Sequence, residues 1–239
     1  MKKTIYQFWQ GNIPASVQHD LDDLREKAEA AGYTVELYDL QRIMDELDNK
    51  NTVEALRRMW KYLPLSMAAS ATSDFFRYWI LQEGGVYMDT DVVITTDEFP
   101  EVPTEEGVFF CSEQTRTTNL NTCVSVVNGE QGKLYAKIMT GIATERLKQT
   151  WLDSFEQCKA NAQYLIQHKW SLIGYLGPAL VRGCMPQLLM QGIHMERMPY
   201  ELCSSHDPHS AIWHGGVGSW VNGGIGNPDN LLDKVRSGK

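Results

Sequence analysis

The decisive stretch of the sequence is SDFFRYWILQEGGVYMDTD, residues 73–91. Its first half is typical of the last turns of a helix, and the Gly84-Gly85 pair that follows suits a helix end where the backbone turns left-handed. Asp74 and Arg77 are three residues apart, so on a helix their side chains share one face. They form either an ordinary helical ion pair or two polar contacts for a bound ligand.

Two aspartates follow the glycine pair at the end of a short strand. The apolar run 86–88 predicts the strand, and Asp89 and Asp91 emerge at its carboxyl end, the edge where ligands bind in open α/β sheets. Two carboxylates at i and i+2 in a bend can face one hard divalent cation, which also accepts phosphate oxygens and water. Aspartate is common in solvated turns as well. The upstream Asp74–Arg77 pair favours a cation site that holds a nucleoside diphosphate.

This stretch resembles the sugar-binding region of DXD-containing glycosyltransferases. These include glycosyltransferase family 32, capsular-polysaccharide transferases, the fungal initiating mannosyltransferases and, more distantly, the clostridial glucosylating toxins. The positions that carry the resemblance are, in chain order, Ser73, Asp74, Arg77, Leu81, Gly84, Gly85, Tyr87, Asp89 and Asp91. Two features depart from the family pattern. Ser70 stands where an alanine is common, and two residues instead of three separate Leu81 from the glycine pair.

The resemblance implies a role for each acidic or basic residue of the stretch. Asp89 and Asp91 would hold Mn²⁺ or Mg²⁺ against the diphosphate of the donor. Asp74 and Arg77 would hydrogen-bond the donor sugar and its ribose. The resemblance also implies retention of the anomeric configuration. Because no residue in the sequence identifies itself as a nucleophile on the sugar, we expect front-face attack by the acceptor, with the diphosphate taking its proton.

A second dense motif, AIWHGGVGSW at residues 211–220, resembles the His-x-x-x-x-Ser-Trp that the family carries near its C-terminus. A neutral histidine beside glycines can bind a metal or donate to a phosphate, and glycine lets backbone N–H groups approach an anion closely. The resemblance implies that His214, Ser219 and Trp220 close over the diphosphate. Whether His214 binds the metal or a phosphate is left open.

Two further donor contacts are expected from the resemblance. Trp9, at the end of the first predicted strand, would stack near the nucleotide base, although a core aromatic residue would fit the same pattern. Asn121, with Asn119 as the second choice, would be the asparagine that faces the donor sugar.

The rest of the chain alternates strand and helix patterns. Strand, helix and strand patterns at 4–9, 15–31 and 33–38 predict a βαβ unit with a parallel strand pair. Further strands are predicted at 92–94, 108–111, 122–127 and 193–198, and further helices at 40–62, 133–168, 178–190 and 228–235. The sequence therefore predicts an α/β fold of the GT-A type. In it, residues 1–239 form a single domain with a Rossmann-like mixed sheet flanked by helices.

A basic group lies on the polar side of the predicted helical region 40–62. It consists of Arg57, Arg58 and Lys61. A charge group of this kind is usually a solvated helix face. The alternative is a contact with an anionic acceptor.

Composition limits the class of protein and its partners. The net charge of −8 argues against nucleic acid as a partner, since a nucleic-acid-binding domain presents a basic face. There is no continuous apolar run of about 18 residues, as a spanning helix needs. The N-terminal residues do not form a signal peptide either, because polar residues interrupt them. The five cysteines are odd in number and widely spaced, which indicates reduced thiols and a cytoplasmic location.

We therefore expect a hexosyltransferase that moves a sugar from a UDP- or GDP-linked donor to a hydroxyl of a glycan or lipid-linked glycan, in surface polysaccharide assembly. Its expected location is cytoplasmic, with peripheral contact at the inner membrane face left open. One alternative is a haloacid-dehalogenase-type phosphatase with Asp89 as nucleophile and Asp91 as acid. That family places its motif near the N-terminus and needs a later Lys and a paired acidic motif, whereas here the motif lies well inside the chain and no Asp-Asp follows it. The other alternative is a non-catalytic sugar-binding domain.

Overall fold

The computed structural model describes residues 2–112, 120–169, 171–205 and 207–214. Its helices and strands alternate at the start of the chain and then follow one another in runs of three or four. In chain order they are β1 Thr4–Phe8, α1 Ala15–Ala30, β2 Thr34–Tyr38, α2 Leu40–Glu46, α3 Lys50–Tyr62, α4 Leu65–Ile80, β3 Gly85–Met88, β4 Val92–Ile94, β5 Gly107–Ser112, β6 Leu120–Asn128, α5 Gly129–Trp151, α6 Phe155–Gln167, α7 Ser171–Tyr175, α8 Pro178–Met190, β7 Met195–Arg197, β8 Cys203–Ser204 and β9 Ile212–His214.

The strands form one mixed sheet in the order β2-β1-β3-β6-β5-β8-β9-β4, and β7 pairs with β5. β1 runs parallel to both β2 and β3, whereas β6 runs antiparallel to β3 and β5. The parallel pair β1 and β2 is joined by α1, so the predicted βαβ unit is confirmed. The predicted Rossmann-like mixed sheet flanked by helices is confirmed as well. That residues 1–239 form one GT-A domain stays a prediction.

The two faces of the sheet are covered unequally. Successive side chains of a strand point to opposite faces. Tyr6 and Tyr87 therefore join the larger core, which helices α2 to α8 cover. Ile5 and Val86 join a smaller core on the other face, which α1 covers. Among the helices of the described residues, none has the length and apolar character that a membrane span requires.

A tight turn connects α4 to β3. α4 is followed by a 3-10 turn at Leu81–Glu83, and Gly84 and Gly85 then take φ angles of +75° and +113°. A Cβ atom on Gly85 would lie 2.8 Å from the carbonyl oxygen of Thr4 in β1. The glycine therefore allows both the left-handed backbone and the close approach of β3 to β1. This connection fixes where the carboxyl end of β3 lies.

Some predicted elements are divided in the structure. The predicted helix at 133–168 is two helices, because the chain turns after Trp151 and the Ser154 hydroxyl accepts a hydrogen bond from the backbone of Gln157 to begin α6. The helical region 40–62 is divided in the same way, since Asn49 caps a new helix, α3. The predicted helix at 228–235 lies outside the described residues.

Candidate active site

The two aspartates lie at one edge of the sheet, where several strands end. Asp89 directly follows β3, and its backbone N–H donates to the carbonyl of Cys123 in β6, at 2.8 Å. Asp91 directly precedes β4. β4 pairs antiparallel with β9 so that Val92 faces His214. The sheet therefore brings His214, over a hundred residues away in sequence, next to the aspartates.

Arg77 on α4 is the centre of a buried polar network. Its Nη2 atom lies 3.0 Å from Oδ1 of Asp74 and 3.2 Å from Oδ1 of Asp89. Its Nη1 atom donates to the hydroxyl of Thr122 in β6. The side chains of Arg77 and Asp74 are only 5% and 9% exposed. The predicted helical pair therefore exists, and Arg77 connects it to the first aspartate of the Asp-x-Asp motif.

Tyr87 and Ser73 complete the contacts of the Asp89 carboxylate. The Tyr87 hydroxyl donates to Oδ1 of Asp89 at 2.6 Å and lies 2.7 Å from the Ser73 hydroxyl. Oδ1 of Asp89 is therefore held from two directions, by Tyr87 and by Arg77. Sequence analysis gave neither Tyr87 nor Ser73 a role, although both stand in the motif. Thr122 had no signal in the sequence at all.

Asp89, Asp91 and His214 are close enough together to hold a metal ion. Each offers a ligand atom, and these atoms lie within 4.8 Å of one another. Nε2 of His214 lies 3.1 Å from Oδ1 of Asp91 and 3.8 Å from Oδ2 of Asp89. The Asp89 and Asp91 side chains remain 23% and 36% exposed, so a ligand can reach them. Two carboxylate oxygens and one imidazole nitrogen are a donor set that suits a divalent metal cation.

The charges of the site shift its pKa values. Burial raises the pKa of Asp74 to about 7; Arg77 opposes this rise and Asp89 adds to it. Burial is the largest single effect on His214 and would lower its pKa, but Asp91 and Cys123 together outweigh it and hold that pKa well above its usual value. Partial burial would raise the pKa of Asp91, yet His214 keeps it below its usual value. Asp91 and His214 therefore stabilise each other's charged forms.

Trp9 and Asn121 lie at the same edge. Trp9 directly follows β1, which is parallel to β3, and its indole N–H donates to the carbonyl of Asn12 at 3.3 Å. Asn121 lies near the start of β6, next to Thr122, and its side-chain oxygen accepts from the backbone N–H of Cys123 at 3.0 Å. Their roles toward a donor stay predictions. Ser219, Trp220 and Asn119 lie outside the described residues.

A comparison with protein-family models identifies the region that carries most of this site. Residues 13–109 match the model described as glycosyltransferase sugar-binding region containing DXD motif. This segment is a DXD-type glycosyltransferase region. The predicted resemblance to DXD-containing glycosyltransferases is therefore confirmed. The glycosyltransferase region includes Asp74, Arg77, Asp89 and Asp91, whereas His214 lies beyond the match and joins the others through the pairing of β9 with β4.

Two solved structures of glycosyltransferases are similar to this chain. The structure titled "PaToxG Glycosyltransferase" is 14% identical, with 79% of this chain and 76% of that chain covered and a TM-score of 0.44. The other is a glycosyltransferase involved in the glycosylation of the major capsid of PBCV-1. It is 11% identical, with 96% of this chain and 98% of that chain covered and a TM-score of 0.49. No curated protein matches the sequence significantly.

Proposed function

We propose that this glycosyltransferase is metal-dependent and moves a sugar from a nucleoside-diphosphate donor to an acceptor hydroxyl. One observation carries the proposal. The ligand atoms of Asp89, Asp91 and His214 converge at the carboxyl edge of β3, directly beside the buried Arg77–Asp74 pair. A cation site and a charged hydrogen-bonding pair at one sheet edge suit a diphosphate joined to a sugar.

The three converging side chains would hold Mn²⁺ or Mg²⁺. When bound, the cation supplies Lewis-acid stabilisation of the negative charge that develops on the leaving diphosphate. Asp91 and His214 are already 3.1 Å apart, so a cation would replace the proton that they share without a large movement. Asp89 would contribute Oδ2, because its other oxygen is held by Tyr87 and Arg77.

Asp74 and Arg77 would position the donor sugar. Thr122 and the Ser73 hydroxyl fix the guanidinium, whose side chain is 5% exposed, so its orientation is set before a donor binds. A preorganised charged donor loses little entropy when it forms a hydrogen bond, which is how orienting residues contribute to rate. Trp9 would stack on the base and Asn121 would face the sugar. Ser219 and Trp220 would donate to the diphosphate.

We further propose a retaining reaction. No described side chain at this edge is placed as a separate nucleophile, since Oδ1 of Asp89 accepts from Tyr87 and Arg77 and Asp91 pairs with His214. The acceptor hydroxyl would attack on the face from which the diphosphate leaves, and the diphosphate would take its proton. The proposed acceptor is a glycan or lipid-linked glycan of surface polysaccharide assembly, at a cytoplasmic location.

Hydrolysis and transfer assays test this proposal. The purified chain is incubated with UDP-sugars, GDP-mannose and, separately, p-nitrophenyl phosphate, with Mn²⁺ or with EDTA. We expect Mn²⁺-dependent turnover of at least one sugar nucleotide, a loss of at least about a hundredfold in Asp91→Ala, and near-normal activity in the matched control Asp97→Ala, whose carboxylate is exposed outside the site. Turnover of p-nitrophenyl phosphate without turnover of any sugar nucleotide would instead support the phosphatase.

A further inference from the structure

A cleft lies on the helical side of the molecule, between α3 and the start of α6. It has a volume of about 500 Å³ and is widely open to solvent. None of the candidate active-site residues lines it. Its lining residues are charged or aromatic, and they are Glu54, Arg57, Arg58, Lys61, Tyr62, Asp153 and Phe155.

The cations of this cleft are not equivalent. Arg58 is neutralised, since its Nε atom lies 2.9 Å from Glu54 and its Nη1 atom donates to the carbonyl of Asp153 at 3.1 Å. Arg57 and Lys61 are exposed, and within the described residues neither forms an ion pair. They are four residues apart on α3, where like charges repel. A chain with a net charge of −8 thus keeps two unpaired cations together at a cleft.

The floor of the cleft is aromatic. Tyr62 stacks on the buried Trp151 with ring centroids 6.5 Å apart and planes 8° from parallel. Phe155 meets Tyr62 edge to face at 5.9 Å, yet it remains 51% exposed. Nζ of Lys159 lies 4.1 Å from the centre of the Phe155 ring and adds a third cation at the rim. Nζ of Lys61 lies 5.6 Å from the centre of the Tyr62 ring, so each ring already has a lysine over one face, and Phe155 is the ring that keeps a large exposed area.

We propose that this cleft binds a saccharide that carries a phosphate or carboxylate group. Arg57 and Lys61 pair with the anion. The exposed face of Phe155 that Lys159 does not cover contacts the C–H face of the sugar ring. The free oxygens of Glu54 and Asp153 accept hydrogen bonds from sugar hydroxyls, because a carboxylate has more acceptor sites than its present partners use.

Other occupants fit the cleft less well. A bare inorganic anion would make no use of the exposed face of Phe155. An anionic membrane surface would meet the carboxylates of Glu54 and Asp153, which repel it, and a concave cleft does not match a flat bilayer. The proposal is independent of the transferase reaction, since the cleft shares no residue with the candidate active site.

Calorimetric and ³¹P NMR titrations test the proposal without donor or metal, in EDTA. The probes are glucose 6-phosphate, glucuronate, glucose, inorganic phosphate and vesicles that contain an anionic lipid. We expect both acidic sugars to bind more tightly than glucose or phosphate. The double variant Arg57→Gln/Lys61→Gln should weaken the binding of both by about tenfold or more. Phe155→Ala should weaken the binding of glucose 6-phosphate and leave the binding of phosphate unchanged.

The matched control is Lys50→Gln/Lys137→Gln, which removes the same charge from exposed lysines outside the cleft. It should bind both acidic sugars like the wild type. An equal loss in this control would mean unspecific charge attraction and would overturn the proposal.

Two other results would also overturn it. Phosphate binding as tight as that of glucose 6-phosphate would show that the cleft binds anions without recognising the sugar. Vesicle binding that depends on Arg57 and Lys61, without binding of either sugar, would assign it to a membrane. Equal melting temperatures of all variants exclude unfolding as the cause.

Discussion

The two carboxylate oxygens of Asp89 have different surroundings. Oδ1 accepts hydrogen bonds from Tyr87 at 2.6 Å and Arg77 at 3.2 Å, whereas Oδ2 faces His214 at 3.8 Å. A carboxylate fixed through one oxygen presents the other in a single direction, which favours one cation geometry over several. Tyr87 therefore acts on the proposed metal through Asp89 rather than by contact.

A Tyr87→Phe substitution tests this positioning role. It removes only the hydroxyl, so Asp89 keeps Arg77 but can rotate more freely. We expect the affinity for Mn²⁺ in the presence of UDP to fall by about tenfold or more, the usual effect of losing a residue that orients a metal ligand. Electron paramagnetic resonance of free Mn²⁺ measures it. Tyr164→Phe, at an exposed tyrosine of α6, is the control and should bind Mn²⁺ normally. Equal affinities in the two variants would contradict the role of Tyr87.

The buried Asp74 carboxyl predicts a pH dependence of stability. Its pKa is about 7 in the folded chain, mainly because of burial, against about 3.9 for aspartate in an unfolded chain. A raised pKa means that the folded chain binds more protons. The contribution of Asp74 to stability is therefore present at low pH and is lost as the pH rises through about 7.

The variant Asp74→Asn stays neutral and lacks this contribution. Between about pH 5 and about pH 8, we expect the unfolding free energy to fall less steeply in the variant than in the wild type. Urea denaturation at several pH values measures both slopes, and comparing them cancels the titration of groups such as His214. Parallel slopes would show that Asp74 ionises in the folded chain as easily as it does in the unfolded chain.

At the scale of single elements, prediction worked where a pattern is local. The apolar run 86–88 and the Gly84-Gly85 pair located the strand and the turn around 73–91 without any tertiary information. The short strands β8 and β9, of two and three residues, carry no such periodicity and are formed by the sheet that receives them. Capping by Ser154 shows the same limit, because serine is favoured both at helix N-caps and in turns.

The turn between α4 and β3 can be tested by a substitution at Gly85. An alanine there would need φ near +113° and would place its Cβ 2.8 Å from the Thr4 carbonyl oxygen. We expect Gly85→Ala to lower the unfolding free energy by about 1–3 kcal/mol, from backbone strain and the close contact. Urea denaturation measures the change.

Gly141→Ala is the matched comparison, because Gly141 lies inside α5 and a Cβ there would have no neighbour within 4 Å. This substitution should raise the unfolding free energy by about 0.5–1 kcal/mol, since alanine favours a helix. If the two substitutions changed stability by the same amount, the turn before β3 would not depend on the conformational freedom of glycine.

At the scale of the whole molecule, the site depends on strand order. Asp74 and Arg77 lie on α4. Asp89 follows the carboxyl end of β3, Asp91 precedes β4, and His214 ends β9. Residue patterns indicated the aspartates, and family resemblance indicated His214. Neither could give the distances, because these follow from β9 lying beside β4 and β6 beside β3. A contact such as the one between Arg77 and Thr122 can be expected only when the strand order is known.

Ligand binding should therefore stabilise the fold as a whole. A nucleoside diphosphate with Mn²⁺ at about a hundred times its Kd would add about 2.7 kcal/mol, which for a chain of this size raises the melting temperature by about 5–10 °C. A thermal-shift panel of UDP and GDP, with Mn²⁺ or EDTA, measures the rise. Asp91→Asn should lose most of it, whereas Asp97→Asn, with an exposed carboxylate outside the site, should keep it. A rise that survives EDTA would mean that the nucleotide binds without the cation, and the aspartates would then need another role.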